Sequence, residues 1–389
     1  MSNTDNNLNN IPQVLDESPS LLNIEDTESL VSSTREAVLQ NSNTSDSIDL
    51  SVNDLSGLDL TQINLAGANL TGKNLSNTNL SQMNLMTVYL QNTIFNRANL
   101  SYANLSRQVL LGVTLSGANL ANANLSGANL SNVDLSGVNL ANADLRGANL
   151  TGANLNGVDL RTVKLDKTTI LHNVNLSNAN LSGLNLNDYD LTGAKIDNTN
   201  LTGTQLLRVK LISAEIENMN LSNYALNGCN FTRASLKNVN LNGANVSSCN
   251  FIRASLVEVN LRDAIVMNTN FGESQFENVN LQFLKYLEKA SLPTGYKVYG
   301  TSVIGSGLIL NEMQMTGDFR EVNLSRSIIS GAQVTKVDFR GANLSGADLS
   351  RLDLRNSKLR GANLENADFT NTKLGFFQKL KAKFGGAKL

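Results

Sequence analysis

Residues 116–155 read SGANL ANANL SGANL SNVDL SGVNL ANADL RGANL TGANL. Leucine closes every unit. Asparagine or aspartate precedes it, and alanine or valine stands one place earlier. A five-residue period fits neither the 3.6-residue helix nor the two-residue strand. The chain must turn in the same way in each unit, which makes it a solenoid. Outward from this stretch the apolar position recurs from Leu50 to Ile170, from Leu176 to Leu281 and from Phe319 to Leu374. None of these 59 positions is polar.

The number of units per turn is also readable. Cys229-Asn230-Phe231-Thr232-Arg233-Ala234-Ser235-Leu236 returns as Cys249-Asn250-Phe251-Ile252-Arg253-Ala254-Ser255-Leu256, and Phe271 continues the series. Phe319 and Phe339 repeat the 20-residue offset. Equivalent side chains stacked coil on coil give this spacing, so each coil has four sides. At ~4.8 Å per coil, the rod would be roughly 70 Å long. Two inward residues per unit, one large and one small, require a narrow bore and a corner in every repeat.

Ala-Asn-Leu-Ser-Gly and Ala-Asp-Leu-Arg-Gly units resemble the pentapeptide repeat family, with consensus A(D/N)LXX, over about 300 of the 389 residues. The resemblance implies an all-β solenoid, a right-handed quadrilateral β-helix with four pentapeptides per coil, interrupted once and carrying short terminal helices. The handedness comes from the resemblance alone.

Departures divide the chain. Residues 1–46 hold Pro12, Pro19 and many polar residues, and read as a disordered acidic tail. A capping helix over 25–39 is an expectation within it. Residues 47–281 form the first repeat block. The six-residue step from Ile170 to Leu176 predicts a bulge near Leu171-His172. Lys73, Gln108, Tyr189 and Tyr224 occupy inward small positions, and predict local distortion or opening of the coil. Residues 282–318 break the pattern. Phe283, Leu284 and Leu287 suit a short amphipathic helix ended by Ser291-Leu292-Pro293, followed by extended segments. Residues 319–374 resume the repeat, and 375–389 form a basic amphipathic helix.

Charge is segregated. Residues 1–50 carry nine acids and one base, whereas 51–374 carry 24 acids and 26 bases. The C-terminal residues add Lys379, Lys381, Lys383 and Lys388 without an acid. No apolar run reaches the ~18 residues of a membrane span, and the polar N-terminus shows no secretory signal. The expectation is a cytoplasmic protein, with weak membrane-surface contact as the alternative.

No catalytic or cofactor-binding constellation emerges, and no metal site or cofactor is expected. His172 is the sole histidine, read as a solvated loop residue. Asp188 and Asp190 read as solvated carboxylates. Cys229 and Cys249 stack one coil apart as small buried residues, with disulfide geometry open to them. The Asn ladder reads as hydrogen-bonding structure. Arg233, Arg253 and Glu273 form one charged column, and Arg351, Arg355, Lys358 and Arg360 a basic surface. Both lack the aromatic groups that stack on bases, so no nucleic-acid partner is expected.

The candidate interaction residues are Phe376, Phe377, Lys379, Leu380, Lys381, Lys383 and Phe384. The resemblance implies a helix that caps the coil and mediates a homodimer. The function read from these features is a non-enzymatic scaffold for protein partners. A membrane-associated or secreted effector is one alternative. A DNA-mimic modulator of a type II topoisomerase is the other, and the near-neutral rod disfavours it.

Overall fold

The computed structural model describes residues 52–389, so the expected tail and its capping helix lie outside the described residues. Each five-residue unit makes one side of a four-sided coil. At a corner the leucine carbonyl accepts the amide three residues on, as in Ala118 N–H to Leu115 O at 2.8 Å. The third residue of that turn takes positive φ, +66° at Gly117 and +60° at Asn122. Glycine adopts this conformation freely, and asparagine tolerates it better than most residues.

The sides stack in parallel. Asn119 N–H donates to Ala98 O at 2.9 Å, and Leu120 N–H donates to Asn139 O at 2.8 Å. Outward amides add a second ladder. The Nδ2 of Asn99, Asn119 and Asn139 each donates to the Oδ1 one coil back, at 3.2, 3.3 and 3.0 Å. Inside, Leu120, Leu125, Leu130 and Ala118 are fully buried.

On one side of the coil the isolated bridges lengthen into three-residue strands. β1 (Lys195–Asp197), β2 (Glu215–Glu217), β3 (Ser235–Lys237), β4 (Ser255–Val257) and β5 (Gln275–Glu277) make one parallel sheet in sequence order. Their register pairs Ile216 with Leu236, Leu236 with Leu256, and Leu256 with Phe276. The 20-residue coil is thus observed directly.

The inserted residue lies one corner earlier than expected. Ile170 is exposed and bridges Asn149, while Leu171 is buried. The six-residue step therefore runs from Leu165 to Leu171. Thr169 takes the small inward position, and its hydroxyl donates to Leu145 O at 3.0 Å. Two adjacent apolar residues left the phase undecided in the sequence.

Lys73, Gln108 and Tyr224 bond to backbone carbonyls, while the bore of the coils that hold Tyr189 and Tyr224 keeps a void of about 30 Å³ lined by residues from Leu176 to Phe231. Lys73 Nζ donates to Val52 O at 2.7 Å, and Gln108 Nε2 to Leu85 O and Val88 O at 2.5 and 2.8 Å. Tyr224 Oη donates to Leu201 O at 2.6 Å. Tyr189 is also buried.

Pairing enters further into the 282–318 segment than the repeat pattern does. Lys285 bridges Ile265, and Ser291 bridges Asn270. These bonds hold the backbone in the coil. The expected amphipathic helix is accordingly reduced to a single 3-10 turn, Leu287–Lys289. β6 (Val279–Asn280) pairs in parallel with β9 (Leu308–Ile309), and Ile309 bridges Ile328. One side of the solenoid therefore passes unbroken through the interruption.

Between these strands β7 (Lys297–Tyr299) and β8 (Ser302–Ile304) form an antiparallel hairpin. Tyr296 meets the Phe276 ring edge-on at 5.1 Å. Tyr299 packs on Phe319 at 4.9 Å, and its hydroxyl donates to Thr316 O at 2.9 Å. Beyond the hairpin, β10 (Gln314–Asp318) pairs in parallel with β11 (Gln333–Asp338).

The helix α1 (Phe376–Phe384) lies over the last coil. Gln378 ties it down. Its Oε1 accepts Gly375 N–H at 2.7 Å, and its Nε2 donates to Leu354 O and Ser357 O at 2.7 and 2.5 Å. After α1 the chain re-enters the ladder, with Phe369 N–H donating to Lys388 O at 2.7 Å. Bonds on both sides of the helix thus fix it as a cap.

Candidate interaction surfaces

Among the described residues no group of three or more His, Cys, Asp or Glu side chains has metal-binding geometry. The polar groups of the rod mostly bind one another. Asp188 lies between Lys167 Nζ at 3.0 Å and Arg208 Nε at 2.5 Å. Hydrogen bonds from Arg208 and then Lys167 lower its pKa to about 2. Asp190 accepts from Lys210 at 3.1 Å, with His172 Nε2 3.6 Å away. The two carboxylates read as freely solvated are thus ion-paired across coils, and His172 belongs to that cluster.

The cysteines are free and buried. Cys229 Sγ donates to Leu206 O at 2.8 Å and Cys249 Sγ to Leu226 O at 2.9 Å. Thr269 continues the column, donating to Val246 O at 2.8 Å. Each thiol does what a threonine hydroxyl does at this position, reaching a carbonyl one coil back. Burial pushes the Cys249 thiol well up, away from the thiolate needed for nucleophilic chemistry. Cys249→Thr is expected to hold stability within about 1 kcal/mol, and Cys249→Val to lose about 1 kcal/mol with the donor. Urea denaturation compares the two. Equal midpoints would show that a side-chain donor to Leu226 O contributes nothing at this position.

The arginine column is half paired. Arg253 Nε meets Glu273 Oε2 at 2.7 Å, whereas Arg233 has no ion pair among the described residues. On the basic surface, Arg355 pairs with Asp353 at 2.6 Å and Lys358 approaches Asp338 at 3.7 Å. Arg351 and Arg360 have no carboxylate partner among the described residues.

Of the candidate helix residues, Phe376 is 76% exposed, Lys379 is exposed and Lys381 is half-buried. Phe377, Leu380, Lys383 and Phe384 belong to the same helix, and their side chains lie outside the described set. Lys381 lines a cleft of about 380 Å³ with Arg340, Lys358, Leu359, Arg360 and Gln378. Sequence reading missed Arg340 and Gln378 as members of this surface. A signal was available in Asp338-x-Arg340 against Lys358-x-Arg360, one coil apart.

The sequence profile described as "Pentapeptide repeats" matches between residues 54 and 282 and again over 318–375. The chain belongs to the pentapeptide repeat family. Its coil is the right-handed quadrilateral β-helix of that family. No curated protein sequence matches the chain.

Solved structures similar to it include HetL, a pentapeptide repeat protein involved in heterocyst differentiation regulation in the cyanobacterium Nostoc sp. strain PCC 7120. It shows 20% identity over 83% of this chain and 91% of that one, at a TM-score of 0.22. Rfr23 from the cyanobacterium Cyanothece 51142 shows 33% identity over 31% of this chain and 92% of that one, at 0.20. QnrB1, a plasmid-mediated fluoroquinolone resistance protein, shows 16% identity over 77% and 97%, at 0.18. TM-scores of this size do not superpose the coils, so the assignment rests on the repeat match. No described helix is long and apolar enough to cross a membrane.

Proposed function

We propose that the chain is a non-enzymatic scaffold, a stiff rod that recognises protein partners at its C-terminal end. One observation carries this reading. The described sides of the coil tie their asparagine amides and many of their charges to one another, whereas α1 and the last coil gather Phe376, the most exposed large apolar side chain among the described residues, with Lys379, Lys381 and Arg360 around an open cleft. Exposed aromatic and cationic groups on a rigid base suit protein recognition. The near-neutral rod lacks the continuous acidic side that a DNA mimic requires, so the topoisomerase reading is not adopted.

Affinity capture from the native lysate tests the assignment. Full-length protein is compared with Phe376→Ala/Lys379→Ala and with Arg233→Ala/Arg253→Ala. Partners are expected to disappear with the first pair and remain with the second. Retention of all partners by the first pair would move recognition away from α1.

A further inference from the structure

The last coils show where charge pairing stops. Asp318-Phe319-Arg320 and Asp338-Phe339-Arg340 occupy equivalent places one coil apart. In each the arginine forks the aspartate two residues earlier, with Nη2 to Oδ2 at 2.6 and 2.7 Å. The next rung is Lys358-Leu359-Arg360, and Lys358 bridges Asp338. A lysine has taken the aspartate's place, so Arg360 has no fork. Lys358 can only lean back on Asp338, at 3.7 Å, where the carboxylate already holds Arg340.

α1 adds Lys381 from above. Every charged residue lining the resulting cleft is basic: Arg340, Lys358, Arg360 and Lys381. Gln378 bonds α1 to the carbonyls of Leu354 and Ser357, which fixes the two walls relative to each other.

We propose that this cleft docks the acidic N-terminal segment of a second copy of the chain. Residues 1–50 carry nine acids against one base, and five of them fall at Asp16, Glu17, Glu25, Asp26 and Glu28. The charge complements a cleft whose four lining cations outnumber the one carboxylate, Asp338, that reaches them. The geometry favours a second copy over the same one. The ladder from Asp59 to Lys388 spans roughly 75 Å at ~4.8 Å per coil. Fully extended, residues 28–52 cover at most ~90 Å and residues 16–52 ~130 Å, but a random coil of the longer stretch averages only ~35 Å end to end. Docking within one molecule would stretch that connection to about twice this average, whereas a neighbour's segment arrives under no such constraint. The contact joins the first coil of one molecule to the cap of the next. Such a heterologous contact does not close on itself and can propagate. It uses the same end of the rod as the scaffold reading but requires no foreign partner, so monomers at low salt overturn it without touching capture of foreign proteins through Phe376 and Lys379.

Sedimentation velocity of the full chain tests the docking at ~0.05 M and ~1 M salt, since screening lengths fall from over ~10 Å to ~3 Å across that range. Concentration-dependent end-to-end oligomers are expected at low salt and monomers at high salt. Two full-length variants separate the halves of the contact. Lys358→Gln/Arg360→Gln removes cleft charge, and Glu25→Gln/Asp26→Asn/Glu28→Gln removes charge from the tail. Each alone is expected to weaken association at least about tenfold. Mixed in equal amounts they should form a heterodimer and nothing longer, because one supplies only the tail and the other only the cleft. Circular dichroism confirms that both variants fold. A full chain that stays monomeric at low salt overturns the proposal. So does association that either variant retains in full, which would place the contact elsewhere.

Discussion

Leu125→Asp is expected to unfold the coils around it while leaving distant coils intact. Leu125 is fully buried, and its N–H donates to Asp144 O at 2.8 Å. Its neighbours one coil away, Leu105 and Leu145, are buried as well. Removing a buried leucine side chain costs roughly 2–5 kcal/mol. A carboxylate in its place finds no donor among alkyl groups, and it must either take up a proton or drag water into the bore. Either adds several kcal/mol. Solenoid coils contact only their neighbours, so the damage spreads locally. Hydrogen exchange followed by mass spectrometry should show protection lost across about residues 105–145 and kept around Phe251. Leu125→Met, which nearly conserves volume, should cost less than about 1.5 kcal/mol. Unchanged protection in the aspartate variant would mean that this position does not carry the bore.

The regularity that makes the coil legible also sets the limit of that legibility. Leu120, Leu125 and Leu130 declare the side length, and Phe231, Phe251 and Phe271 declare the coil length, because stacked positions see the same surroundings. Nothing comparable fixes phase where two apolar residues adjoin, and Ile170 and Leu171 illustrate this. Either could enter the core, and the Thr169 hydroxyl bond to Leu145 O decides the matter.

Phe283, Leu284 and Leu287 carry helical spacing, yet Lys285 and Ser291 are claimed by backbone bonds from the preceding coil. Long-range pairing overrides local periodicity there. The cleft was legible only in fragments. Lys358 and Arg360 stood out as basic residues, but their relation to Arg340 depends on the coil register. Lys381 joins them only because Gln378 fixes α1 on the last coil. The Asp188 and Asp190 ion pairs likewise need residues about 20 apart to be recognised as neighbours.

Phe251→Ala should be among the most destabilising of the neutral truncations in the ring column, because Phe251 has a stacked ring on both sides. Phe231 and Phe251 stack with centroids 4.6 Å apart and planes 5° from parallel, and Phe251 and Phe271 at 5.1 Å and 15°. All three are buried. Truncating a buried phenylalanine costs roughly 3–5 kcal/mol, and each aromatic contact adds about 0.5–1.5 kcal/mol beyond area. Losing two contacts at once places the change at or above the top of the truncation range.

The column continues from Phe271 to Phe276 at 5.9 Å and from Phe276 to Tyr296 at 5.1 Å, both edge-on. Tyr296 enters the hairpin region, so the void left at residue 251 should also loosen the interruption. Exchange protection is therefore expected to fall over residues 275–304 as well as 231–271. Phe251→Leu keeps most of the volume and loses the stacking. It should cost less than half as much, and it separates filling the bore from ring contact. Denaturant titration of the three proteins measures the difference. If the leucine variant is as stable as the native protein, stacking contributes nothing and the phenylalanine column is only filler; if it falls as far as the alanine variant, ring contact and not filling carries the loss. If the alanine variant loses less than about 1 kcal/mol, the bore collapses around voids more readily than a coil pinned by inter-coil hydrogen bonds should allow.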